Sequence, residues 1–206
     1  TYMGQGIDDP TASVRFDVTP AGLHTMILSA EQTVYIDPYS RGNTRNYICY
    51  FKQDLLVDAS RHFEEIGIDD PNGEMAAEIS RLVAGGKAAH IIGEQLRTYR
   101  LALACTGEYA TFHGGTVPQA LAAMVTAMNR VDGVYEREVA IRMVLIANND
   151  QIIYTNAATD PYTNNSGSTM LGQNQANLDN VIGSANYDIG HVFSTGGGGI
   201  AGLGVV

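Results

Sequence analysis

The chain has 206 residues, with 22 acidic against 12 basic side chains, a formal net charge of −10 and a pI near 4.7. That balance excludes a nucleic-acid groove, because the scattered cations cannot neutralise a phosphate backbone. No apolar run reaches the roughly 18 residues that cross a bilayer, while a hydrophobic content of 45% suffices for a sizeable core.

Residues Thr1 to Asp54 read as β-structure. Ser13-Val-Arg-Phe-Asp-Val18 alternates with period two, and Thr19-Pro-Ala-Gly22 is a turn signal. Leu23 to Leu28 and Thr33 to Ile36 are the next two strands, and Pro38 ends that pair. Tyr47-Ile-Cys-Tyr-Phe51 is a fourth strand. Short strands at close spacing predict a small antiparallel sheet. Residues 55–95 differ. Glu64-Glu65 and Asp69-Asp70 cluster acid, Pro71-Asn-Gly73 breaks the chain, and Met75, Ile79, Leu82 and Val83 fall at helical spacing before Gly85-Gly86. This stretch is the linker candidate, and its sequence has room for a cleavage site.

From Leu96 onward β and α patterns alternate. Leu101-Ala-Leu-Ala-Cys105 is a buried strand. Thr116 is a helix N-cap with Pro118 in the first turn. Val117, Ala120, Leu121, Met124, Val125 and Met128 form one apolar stripe, with Gly133 as the expected stop. Val139 to Ile146 is a β-run, and Asn148-Asn-Asp150 turns the chain. Asp160 to Thr169 is a polar loop, and Gln173 to Ile182 is a short helix ending at Gly183. The class is therefore α/β (α+β): an antiparallel β-unit, then a helix-backed mixed, mostly parallel sheet.

The end is distinctive. Tyr187-Asp-Ile-Gly-His-Val-Phe-Ser194 runs into Thr195, four glycines and Ile200-Ala-Gly-Leu-Gly-Val-Val206. A strand that passes into a glycine-rich edge and stops on apolar residues reads as a domain cut in its middle. Such a fragment is expected to lean on its own missing half or on self-association. The start at Thr1, without Met, leaves a removed signal peptide open. Abundant Tyr and Asn with scarce Lys point to an extracellular type of surface.

Chemistry-bearing motifs are few. The five histidines, His24, His62, His90, His113 and His191, show neither H-x-H nor H-x-x-x-H spacing, so no zinc clamp is present. His191 stands beside the glycine-rich segment. No G-x-S-x-G elbow exists, and Gly196 to Gly199 leads into neither a P-loop lysine nor a helix. Those glycines read either as a flexible loop or, since they leave room for another chain, as an edge where Gly199 to Val206 can pair with an extended peptide. Glu108, Glu136, Glu138, Asp160 and Asp188 show no paired-acid logic. Calcium is an open alternative at Asn148–Asp150 or Asp160–Asn165, without the D-x-D-x-D-G ladder. Asn164-Asn-Ser166 is a glycosylation sequon. Pairing of Cys49 with Cys105 is undecided, two buried free thiols being the plainer reading.

Arg97-Thr-Tyr-Arg-Leu-Ala-Leu-Ala-Cys-Thr-Gly-Glu-Tyr109 resembles the first strand of the reprolysin-like, metzincin catalytic domain of secreted bacterial zinc metallopeptidases. Thr116 to Gly133 resembles its first long helix, Val139 to Ile146 its second strand and Gln173 to Gly183 its second helix. Gly-Leu-His-Thr-Met-Ile-Leu, followed by Thr-Val-Tyr-Ile-Asp-Pro-Tyr, resembles a reprolysin-type propeptide. The resemblance implies three parts: a propeptide-like unit at 1–54, a linker or maturation region at 55–95, and the N-terminal part of a catalytic domain at 96–206. It implies a zymogen cleaving peptide or protein substrates with zinc-bound water and a glutamate base. The motif H-E-x-x-H-x-x-G-x-x-H is missing from these residues, so no catalytic or metal-binding residue is assigned here and the fragment alone is expected to be inactive. Only the substrate-binding edge carries over: Gly199, Ile200, Ala201, Gly202 and Leu203. The alternative is a non-enzymatic extracellular adhesion or assembly module that pairs through the same edge.

Overall fold

The computed structural model describes residues 1–56 and 95–201. The helical spacing at Met75 to Val83 lies outside the described residues. Five strands come first: β1 (Tyr2–Gln5), β2 (Ser13–Thr19), β3 (Gly22–Leu28), β4 (Thr33–Pro38) and β5 (Tyr47–Phe51). They form an antiparallel sheet in chain order. Four match the strands expected from sequence; β1 is an addition, held by Tyr2 stacked on Phe16 at 4.9 Å. A second, separate sheet has the order β7-β6-β8 and is wholly parallel among the described residues. Its strands are β6 (Arg97–Cys105), β7 (Ile141–Leu145) and β8 (Ile189–Phe193). Helices α1 (Gly107–Phe112), α2 (Val117–Val139) and α3 (Gly167–Val181) connect them.

The layers follow from β6. Successive side chains of a strand point to opposite faces. Leu101, Leu103 and Cys105 pack against Ala120, Met124 and Met128 of α2. Ala102 and Ala104 face Met170 and Leu178 of α3. Every one of those five β6 residues is essentially inaccessible, which fits a parallel strand covered on both sides. Where β7 ends, Asn149 takes its place. Its side-chain amide accepts from Leu103 N at 2.8 Å and donates to Leu103 O at 2.9 Å, as a neighbouring strand would.

The expected stop at Gly133 is overturned. Thr116 caps α2 as predicted, with Pro118 in the first turn, but the helix continues to Val139. Ala140, at φ 53° and ψ 40°, is the left-handed residue that ends it. Gly133 serves a different purpose. A Cβ there would lie 2.6 Å from Met26 Cε and 3.1 Å from Arg15 Cγ, so the missing side chain lets the five-stranded sheet settle on the helix. The final helix begins at Gly167, earlier than Gln173. Cys49 is exposed, not buried, and both cysteines are free thiols.

Glu136 joins both sheets through α2. Its carboxylate pairs with Arg15 of β2 and with Arg142 of β7. Burial alone would raise its pKa, but the two guanidiniums prevail and hold it below the usual carboxylate range. A lowered folded pKa gives stability that is present above the unfolded value, about 4.3, and is lost as pH falls through the folded one. Burial raises Asp132 nearby, which opposes that slope. Glu136→Gln should lower stability by about 1 kcal/mol near pH 6, after discounting for solvent screening. Urea midpoints from pH 6 to pH 3 should converge with wild type; a gap that stays constant would remove the ionic role.

Candidate functional site

The candidate site is the rim that follows β8. β8 pairs with β6 on one side, and among the described residues its other edge carries no strand. An edge of this kind presents unpaired N–H and C=O groups to an extended chain. Of the five expected rim residues, Gly199 and Ala201 are exposed and Ile200 is half-buried. Gly202 and Leu203 lie outside the described residues.

The rim is anchored from below by Asn164. This side chain is 9% exposed. Its Oδ1 accepts from Thr106 Oγ1 at 2.8 Å and from Thr195 N at 3.1 Å. Its Nδ2 donates to Thr195 Oγ1 at 2.8 Å and to Asn165 Oδ1 at 3.1 Å. One amide thus ties the end of β6, the loop before α3 and the segment after β8. Thr106 caps α1 by accepting from Tyr109 N, and its own N–H donates to Phe193 O at 3.0 Å. Gly196 must be glycine for the same closeness, since a Cβ there would sit 2.7 Å from Asn164 O. Ile200 rests on Gly167 at the first turn of α3, about 3.7 Å from the position of a Cβ.

The loop under the rim is built as tightly. Asp160 accepts from Gly107 N at 2.6 Å and from Tyr162 N at 2.9 Å. Tyr154 donates to Asn177, Asn177 to Tyr162, and Tyr162 to Asn174, over 2.6 to 2.9 Å. These polar groups are buried or half-buried but partnered, which is the condition for burying them at low cost. The sequence reading missed Asn164, Thr106 and Asp160 as organisers. The sequence signal for them is Thr106-Gly107 after a buried strand, a helix cap. The sequon at Asn164 is spent on internal hydrogen bonds, leaving its nitrogen inaccessible to a glycan. Asn164→Ala should cost about 2 kcal/mol by stranding buried partners and should release Thr195–Ile200 in hydrogen exchange. Unchanged protection there would mean the anchor lies elsewhere.

Among the described residues the histidines, cysteines and the acidic candidates of the sequence are spread over separate places. Among the described residues no three His, Cys, Asp or Glu side chains cluster as metal ligands. His62 and His90 lie outside the described residues. His24 stands 3.5 Å from Asp17. Burial, then the Arg41 charge, lowers the His113 pKa. His191 lies edge-on to Phe193 at 5.4 Å. Burial pushes the Cys105 thiol up to about 12, which removes it as a nucleophile. Asp188 is held below the usual carboxylate range by hydrogen bonds from Arg100. Glu138 pairs with Arg137, and Glu108 sits alone in the first turn of α1. Of the calcium candidates, Asn149, Asp160 and Asn164 are engaged with backbone or neighbouring side chains.

Residues 95–205 match the family model described as Metallo-peptidase family M12B Reprolysin-like. No curated protein matches the chain.

Proposed function

We infer function from one settled premise: this chain belongs to the metallopeptidase family M12B, reprolysin-like, whose model spans more than half of it. The family consists of peptide hydrolases, so peptides and proteins are the substrate class. The chain supplies the parallel sheet, its two covering helices and a substrate rim. The observation that carries this reading is the open outer edge of β8 running into a rim fixed by Asn164. A peptidase must hold its substrate extended so that the scissile carbonyl is presented in one orientation. Gly199, Ile200 and Ala201, with Gly202 and Leu203 beyond, would supply backbone donors and acceptors for that.

Zinc is the family's metal, and the described residues do not fit it, since they offer no cluster of three ligands. No step is therefore assigned through zinc to this chain's own residues. Its ligands and the general base are proposed to lie in the polypeptide that follows these 206 residues, with the chain alone inactive. The same reading makes 1–54 a propeptide-like unit, 55–95 the region of maturation cleavage and 96–206 the first part of the catalytic domain. The parent would be a secreted zymogen. What supports the division is that the two hydrophobic clusters contain no residue of the first sheet. Zinc content and peptide cleavage by the chain extended through its own downstream coding sequence test the reading.

A further inference from the structure

The contact between the first sheet and α2 has an unusual character. Cross-strand register places Arg15, Asp17, His24, Met26, Tyr35 and Asp37 on one face, and that face meets the helix. Asp17, 1% exposed, accepts from Thr126 Oγ1 at 2.8 Å and lies within 3.4 Å of Asn129 Nδ2. Arg15 pairs with Glu136. Asp37 pairs with Arg130 at 2.5 Å, and the same guanidinium covers the Tyr35 ring at 4.8 Å. Met26 against Gly133 is the apolar centre, and Met26 is the sole fully buried apolar side chain among residues 1–56. A second hold lies at the end of α1. Arg41 donates to the Phe112 carbonyl and covers its ring at 4.5 Å. A cation is favoured there by the helix dipole.

A polar contact of this kind resembles a dissociable interface between proteins more than the inside of a domain. The sheet is also a single layer, and one layer of strands cannot bury two faces. We propose that residues 1–56 form a partner module docked on α2 through a carboxylate–guanidinium seam, which alone holds it to the parallel-sheet unit once the chain is cut and without which it does not stay folded. This rests on the precursor reading and adds where the module sits and what holds it. Docking is on the helix that backs the parallel sheet. Release would be one-way, because the freed sheet loses the contacts that bury Asp17 and Met26.

The test uses the full chain with a protease recognition sequence inserted after Gly73, cut to completion and followed by sedimentation velocity and hydrogen exchange. The cut wild-type halves should travel together. Arg130→Asp, which places two carboxylates face to face, should weaken their association at least tenfold, since like charges across an interface repel. Asp37→Arg combined with Arg130→Asp should restore it to within about threefold. In the separated Arg130→Asp sample, β2 to β4 should lose protection while β6 keeps it. Halves that stay together in Arg130→Asp, a swap that fails to restore, a free sheet that stays protected, or loss of β6 protection would each overturn the proposal. An extended chain without zinc or peptidase activity would defeat the precursor reading and leave the docking result standing.

Discussion

Gly107→Ala should destabilise the chain strongly for the sake of a single methyl. A Cβ at Gly107 would lie 2.1 Å from Ala157 N and 2.4 Å from Asn156 C. Both neighbours are backbone atoms, so no rotamer change relieves the clash. The loop itself is pinned, because Asp160 accepts from Gly107 N at 2.6 Å. Alanine at a helix start normally gains up to about 1 kcal/mol over glycine, but overpacking at a fixed contact costs about 3 kcal/mol or more. The clash wins. Gly172→Ala is the matched control: that site is in α3 with nothing within 4 Å, and the change should stabilise by about 0.5–1 kcal/mol. Urea midpoints read by circular dichroism decide it. Equal midpoints for the two variants would show that the loop at Asn156–Ala157 yields freely.

Asn149→Ala should be nearly as costly for a different reason. Leu103 is fully buried, and its N–H and C=O are both answered by the Asn149 amide. Removing that amide strands one donor and one acceptor, each worth about 1–3 kcal/mol when left unpaired. The expected loss is about 2–6 kcal/mol. Asn149→Asp should recover part of it at most, since it keeps the acceptor for Leu103 N and loses the donor for Leu103 O. Hydrogen exchange at Leu103 separates this account from a general loosening: its amide should lose protection before those of Met124 and Met128. Protection at Leu103 equal to wild type would remove Asn149 from its role as a surrogate strand.

The legible parts of the fold were those with local causes. β2 to β5, the start of α2 and the buried run of β6 all follow from alternation, a cap and an apolar stripe. The unread parts have long-range causes. Period two showed that Arg15 and Asp17 share one face of β2 and that Val14, Phe16 and Val18 share the other. It could not show that the charged face is the one that meets α2. A sheet usually turns its apolar side inward; here Glu136, Thr126 and Arg130, more than a hundred residues downstream in two of the three cases, reverse that. Gly133 reads as a helix stop because sequence carries the residue and not the strand pressed against it. Asn149 and Asn164 looked like ordinary loop polarity, since an amide that imitates a peptide group is identified only by its partners. The family resemblance read in Arg97 to Tyr109 agrees with the matched span at 95–205.

Zinc stoichiometry tests the central claim most directly. The 206-residue chain should hold well under one zinc after dialysis against a metal-buffered solution, because no ligand cluster is present among the described residues. The chain extended through its native downstream sequence should hold about one zinc and cleave peptides, with both properties lost together on chelation. One zinc per 206-residue chain, or an extended chain that binds none, would contradict the account.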